Sequence, residues 1–143
     1  MTDSRISIML VEDNDDHAEL IMRAFSEVGN NLSIIRFSDG EAALSYLFGD
    51  DPGNSVPLPH LILLDLRLPK VDGIEVLKKI KGNQNTRIIP VVILTSSDSD
   101  LDVVRAYSNY VNSYLVKPID YNRFFSLMDQ INNYWINSNR NSH

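Results

Sequence analysis

Five short apolar runs punctuate the chain, and each ends in polar residues. The most continuous is Leu61-Ile62-Leu63-Leu64, which runs straight into Asp65 and is closed by Pro69 four positions later. An unbroken apolar run of that length, with turn residues on both sides, marks a strand buried on both faces. Ile6 to Val11 predicts a first strand that stops at Glu12-Asp13-Asn14-Asp15-Asp16. Leu32 to Arg36 predicts a second. Pro90 to Leu94 predicts a fourth, with proline at its start where no ladder hydrogen bond is lost. It is followed by Thr95-Ser96-Ser97-Asp98. Tyr114-Leu115-Val116 is a brief fifth strand, ended by Lys117-Pro118.

Between the strands the apolar residues change to a helical period. Leu20, Ile21, Ala24, Phe25 and Val28 define a first helix, capped by Asn14 or Asp15 and ended by Gly29. Ser38-Asp39-Gly40 opens a second helix with Ala43, Leu44, Leu47 and Phe48 on one side. Asp72-Gly73 leads into a third holding Val76, Leu77 and Ile80. A fourth, from about Asp100 to Asn109, is expected to turn Leu101, Val104 and Tyr107 inward. Asp120 caps a fifth, where Phe124, Leu127, Met128, Ile131 and Trp135 keep step. Residues 49–60, with Pro52, Pro57 and Pro59, form a polar loop, as do residues 82–87.

Strands alternating with helices imply right-handed crossovers and a parallel sheet covered on both faces. Five strands point to a flavodoxin-like α/β fold of order 2-1-3-4-5 with five helices. That order makes strands 1, 3, 4 and 5 neighbours, so Glu12-Asp13, Asp65, Thr95 and Lys117 meet at one carboxyl rim. At 143 residues the chain is most simply one domain over 5–136 with a polar tail at 137–143.

Charge sharpens this picture. The net charge of -6 argues against a nucleic-acid surface. Residues 1–71 hold twelve acids against five bases, while residues 72–143 hold seven against eight. The acids therefore concentrate in the half that supplies most of the rim. The absence of cysteine excludes a disulfide framework and a thiolate metal site. No run reaches membrane-spanning length, and the N-terminus lacks a signal peptide's basic-then-apolar order, which fits the cytoplasm.

Carboxylates crowded together repel one another unless a cation neutralises them. Mg²⁺ suits one or two carboxylates plus waters and a phosphate. Lys117 adds a fixed positive charge and Thr95 a hydroxyl donor. A carboxylate nucleophile with these companions describes phosphoryl transfer to an aspartate. Asp65 stands alone in its strand end and is the expected nucleophile. His17, His60 and His143 are scattered and give little support to a histidine-based site.

The ordered set Glu12-Asp13, Asp65 with Pro69, Asp72-Gly73, Thr95-Ser96 and Lys117-Pro118 resembles the receiver domain of two-component response regulators. The loop before Leu61, the phrase Tyr114 to Pro118 and the terminal Tyr134-Trp135 resemble the single-domain regulators of phytochrome-type histidine kinases. The resemblance implies that Asp65 accepts a phosphoryl group from a kinase histidine. It implies that Asp13, Asp65 and the Arg67 backbone carbonyl bind Mg²⁺, with Glu12 assisting through water. Thr95 and Lys117 would contact the phosphoryl group, and Tyr114 would be the aromatic switch that rotates inward as Thr95 moves. Tyr114 is the weakest of these assignments, since an aromatic in a strand is more often plain core or edge packing. A homodimer through the fourth helix, fifth strand and fifth helix is also implied.

Two rivals carry less. Aspartyl-phosphate hydrolases share the nucleophilic Asp, Mg²⁺ and lysine, but need a second acid where this chain has Arg67. A non-signalling flavodoxin-like binder needs a phosphate-holding loop after the first strand, where Glu12 to Asp16 would repel an anion. Arg67 and Ser97 depart from the usual pattern at positions that flank the hydrolytic water in the family. Tyr110 departs from it where glycine is common before the fifth strand. Only Asn137 to His143 follow the last helix on this reading, so output is expected from the receiver's own surface.

Overall fold

The computed structural model describes residues 5–29, 31–49, 57–118 and 120–137. Its strands are β1 (Ile6–Val11), β2 (Leu32–Phe37), β3 (Leu61–Leu64), β4 (Val91–Thr95) and β5 (Ser113–Val116). All pair in parallel, in the order β2-β1-β3-β4-β5. The helices are α1 (Asp15–Val28), α2 (Gly40–Phe48), α3 (Gly73–Gly82), α4 (Asp100–Ser108) and α5 (Tyr121–Ile131). A π-helical stretch, Asn132–Asn137, continues α5. Among the described residues no helix is long and apolar enough to cross a membrane.

Why β3 is apolar at every position follows from the two cores. Ile62 and Leu64 face one side with Met9, Val11 and Ile93, against α2, α3 and Ala106 of α4. Leu61 and Leu63 face the other with Ile8, Leu10 and Val92, against Phe25 of α1 and Phe124 and Met128 of α5. The alternation of a strand thus supplies both layers at once.

Capping residues set where the helices begin. Asn14 accepts from the His17 amide, Asp39 from Ala42, Asp72 from Glu75 and Asp120 from Arg123, each with the side chain closing the first turn. Asn14, rather than Asp15, is the α1 cap. Ser99 caps α4. Gly29 does end α1, in extended rather than left-handed backbone.

The inward face of α4 differs from expectation. Leu101, Val104 and Tyr107 are exposed, and Asp102 and Ala106 are buried instead. Apolar spacing alone selects the wrong side, because the buried Asp102 is held by hydrogen bonds that hydropathy does not register. Smaller differences are that β2 extends to Phe37, β4 runs from Val91 to Thr95, and Gly82 belongs to α3. Residues 50–56 of the polar loop and 138–143 of the tail lie outside the described residues.

Tyr110 does occupy left-handed backbone, at φ 66°. The end of α4 is a Schellman motif: Tyr110 N–H donates to the Tyr107 carbonyl and Val111 N–H to the Ala106 carbonyl. Buried Val111 and Ala106 supply its apolar contact. The Tyr110 residue is 78% exposed, so its side chain adds little packing to offset the strain. Tyr110→Gly is therefore expected to raise stability by roughly 1 kcal/mol, seen as a higher urea midpoint with an unchanged slope. A lower midpoint would show that the tyrosine ring contributes more than its backbone costs.

Candidate functional site

Register brings the rim together. Val11 pairs with Leu64, Leu64 with Ile93 and Thr95 with Val116. The β1–β2, β1–β3 and β4–β5 ladders then run one residue further: Glu12 N–H donates to the Phe37 carbonyl, Asp65 N–H to Val11 and Lys117 N–H to Thr95. Glu12, Asp65 and Lys117 are thereby fixed at one edge before any side chain is considered.

Lys117 is the centre. Its Nζ lies 2.6 Å from Glu12 Oε1 and 2.8 Å from Asp65 Oδ2, with all three side chains buried. The other Asp65 oxygen, Oδ1, accepts from the Arg67 amide at 3.3 Å, and the buried Thr95 hydroxyl acts on the carboxylate from the end of the adjoining strand. Burial alone would raise the Asp65 pKa. The Lys117 bond and charge, the Thr95 hydroxyl and the Arg67 amide reverse this and hold it below the ordinary carboxylate range.

Glu12 goes the other way. Although it makes the shorter contact to Lys117, burial and the neighbouring Asp65 charge push its pKa up to about 7. Glu12 also accepts from the Asn14 amide, at 3.2 Å, but this and the shared ammonium do not offset its burial, and it is the carboxylate left short of positive charge. Carboxylate oxygens of Glu12, Asp13 and Asp65 lie within 4.8 Å of one another, the first and last buried and Asp13 exposed. Hard oxygen donors with an unmet demand for positive charge fit a divalent cation such as Mg²⁺. Close packing keeps the nucleophile in place: a Cβ on Gly73 would stand 2.2 Å from the Asp65 carbonyl oxygen, so only glycine lets α3 start there.

Two neighbours of the site escape a reading of the sequence. His17 Nδ1 lies 3.0 Å from Lys117 Nζ, on the first turn of α1. Burial, then the Lys117 charge, lowers the His17 pKa, so a neutral ring accepting from the ammonium fits the contact. Arg36 reaches from β2 to the Glu12 carbonyl with two nitrogens, at 3.0 and 2.8 Å, and to Asp15 at 2.8 Å. It grips the backbone that presents the acidic pair. The only sequence signal for either was position near a strand end. His60 instead accepts from the Ser7 amide, before β3 begins.

The far side of the rim is a polar chain. Tyr114 donates its hydroxyl to the Ser97 carbonyl at 2.8 Å, and burial raises its pKa. Ser97 N–H donates weakly to Thr95 Oγ1 at 3.4 Å. Ser97 Oγ and Arg67 Nη2 both reach Asp102 Oδ2, at 2.6 and 3.0 Å.

A five-stranded sheet of this order, with an aspartate and a lysine joined over an acidic pair, defines the receiver class of signalling domains. Residues 8–129 match the response regulator receiver domain, and the chain belongs to that family. It is a receiver-domain response regulator of two-component systems. It is 53% identical over 133 residues to FilR2, described as a probable methanogenesis regulatory protein of Methanothrix harundinacea, covering 93% of this chain and 85% of that one. It is 40% identical to the response regulator Rcp1 of Synechocystis, covering 90% and 88%. The phosphorylated cyanobacterial phytochrome response regulator RcpA superposes with a TM-score of 0.88 at 34% identity, covering 94% and 96%. The Mn²⁺-bound form of Rcp1 superposes with a TM-score of 0.83 at 39% identity, covering 92% and 94%.

Proposed function

We propose that Asp65 is the phosphoacceptor of a switch, charged by the phosphohistidine of a histidine kinase. The observation that carries this is the Lys117 ammonium seated on Asp65 Oδ2 beside the Glu12-Asp13 pair. In the transfer an O–P bond forms at the carboxylate as the N–P bond breaks, and the departing imidazole takes up a proton. Lys117 and the Thr95 hydroxyl face the oxygens on which charge develops. Mg²⁺ would be held by Glu12, Asp13, Asp65 and the Arg67 carbonyl, and would supply positive charge to the phosphoryl oxygens. The chain acts as a phosphoacceptor that assists its own labelling and hydrolysis, in the cytoplasm, rather than as an enzyme on a separate substrate.

Likeness to Rcp1 and RcpA supports a phytochrome-type kinase as the donor. The higher identity to FilR2, a probable methanogenesis regulatory protein, favours a second reading, a part in regulating methanogenesis. Output through a homodimer of the α4–β5–α5 face is supported by exposed Leu101, Val104, Tyr107, Val116 and Tyr134. In this reading Thr95 and Tyr114 relay the change to that face.

The test is a pulse of radiolabelled acetyl phosphate with Mg²⁺, followed by a chase. Label retained on the protein, and lost when EDTA precedes the pulse, is the expected result. Steady turnover of a phosphate ester with no retained label would instead mark a hydrolase. Transfer from a phytochrome kinase compared with other histidine kinases decides the donor.

A further inference from the structure

We propose that Arg67 senses the phosphoryl group on behalf of α4, and that Asp102 holds its guanidinium in reserve until Asp65 is modified. The inference rests on Asp65 being the phosphoacceptor. It concerns three groups that the phosphoacceptor chemistry itself does not use, namely the Arg67 side chain, Asp102 and the Ser97 hydroxyl.

Asp102 is an acid on the first turn of α4 whose side chain is only 11% exposed. One of its oxygens, Oδ2, takes both Ser97 Oγ and Arg67 Nη2. A buried carboxylate is tolerated when paired and strongly disfavoured when left with a single neutral donor. The Arg67 contact therefore decides whether the first turn of α4 stays packed.

Arg67 is equally well placed to leave. Its backbone amide already touches Asp65 Oδ1, so its side chain starts beside the nucleophile. That side chain is 74% exposed and contacts Asp102 through one nitrogen. A phosphoryl group on Asp65 adds charge and three acceptor oxygens within the guanidinium's reach, and arginine pairs with such oxygens through two parallel bonds. A two-bond partner of higher charge displaces a one-bond partner.

Departure of Arg67 leaves Asp102 Oδ2 with the Ser97 hydroxyl as its donor among the described residues. Ser97 is a junction: its carbonyl receives the Tyr114 hydroxyl, and its Oγ accepts from the Ser99 amide at 3.3 Å. Ser99 is the cap of α4. Release of one ion pair thus loosens the α4 cap and frees Tyr114, a route that acts beside the Thr95 relay and converges with it at Tyr114.

Hydrogen exchange over residues 100–108 tests this, with acetyl phosphate and Mg²⁺ as the donor. In the wild-type protein, phosphorylation is expected to speed exchange of the first α4 turn at least about tenfold. Asp102→Asn and Arg67→Ala are each expected to show that fast exchange without any donor. Their combination should add nothing, and Arg67→Lys, which keeps the charge, should restore most of the protection. Asp102→Asn should still take label on Asp65, with no further change in α4. Wild-type protection of α4 in unphosphorylated Arg67→Ala, with the usual loss on labelling, would overturn the sensing role alone. Wild-type protein that takes no label would overturn the Asp65 assignment itself, whatever the variants do to α4.

Discussion

Asp65→Asn is expected to take up no phosphoryl label while keeping its fold. The asparagine is nearly isosteric, so the backbone contacts that fix the β3 end, the Asp65 amide to Val11 and the close approach of Gly73, are retained. What is lost is a nucleophilic carboxylate whose pKa is held low by Lys117, Thr95 and the Arg67 amide. Lys117 keeps Glu12 as a buried partner, so unfolding stability should change little. Acid-labile, hydroxylamine-sensitive radiolabel after an acetyl phosphate pulse is the readout, with circular dichroism as the fold control. Undiminished label on the variant would place the acceptor elsewhere.

Lys117→Met is expected to destabilise the fold strongly. It removes the cation shared by two buried carboxylates, and breaking a buried pair from one side costs about 3–5 kcal/mol. The loss should depend on pH. In the wild type, the depressed Asp65 pKa contributes stability above the unfolded value near 3.8, lost as pH falls through its folded value. Glu12 has the opposite sign. Its rise from 4.5 to about 7 withdraws stability as pH climbs between those values, by up to about 3 kcal/mol. Without Lys117 both acids shift upward, so the variant should weaken more steeply from about pH 5 to about pH 8 than the wild type. Mg²⁺ should recover part of the loss at the higher pH and little at the lower. Urea midpoints at both pH values, with and without Mg²⁺, measure this; equal losses at the two values would contradict the burial assigned to Glu12.

The sheet and its rim were legible because their signals are local. An apolar run that ends in one charged residue states both a strand and the position of that charge, and four such runs place Glu12, Asp65, Thr95 and Lys117 together once the order is set. Tyr110 was legible for a related reason: a residue just past a helix end has few backbone options. The face of α4 was not. Leu101, Val104 and Tyr107 are the apolar stripe, but Asp102 wins the inward position through Ser97 and Arg67, and an acid carries no hydropathy signal for burial. His17 was hidden by distance, since its partner Lys117 is 100 residues away in the chain. Whether a side chain on the first turn of α1 reaches that ammonium depends on how α1 is rotated against the sheet, and hydropathy fixes that only to within a residue or so.

One side of the acceptor has no slack. A Cβ on Gly40 would stand 2.0 Å from the Val71 carbonyl oxygen, and one on Gly73 would stand 2.2 Å from that of Asp65. Backbone there already rests on backbone, and Lys70 between them is bent to φ 69° to close the turn. Added bulk on Asp65 cannot be absorbed by α2 or α3 moving inward, and these helices form a stop. Expansion has to travel the other way, across β4 toward α4 and β5, where contacts are made by hydroxyls and a single ion pair. The glycines thus give the switch its direction: they make the molecule a one-sided hinge, stiff where the phosphoryl group lands and compliant where the message leaves.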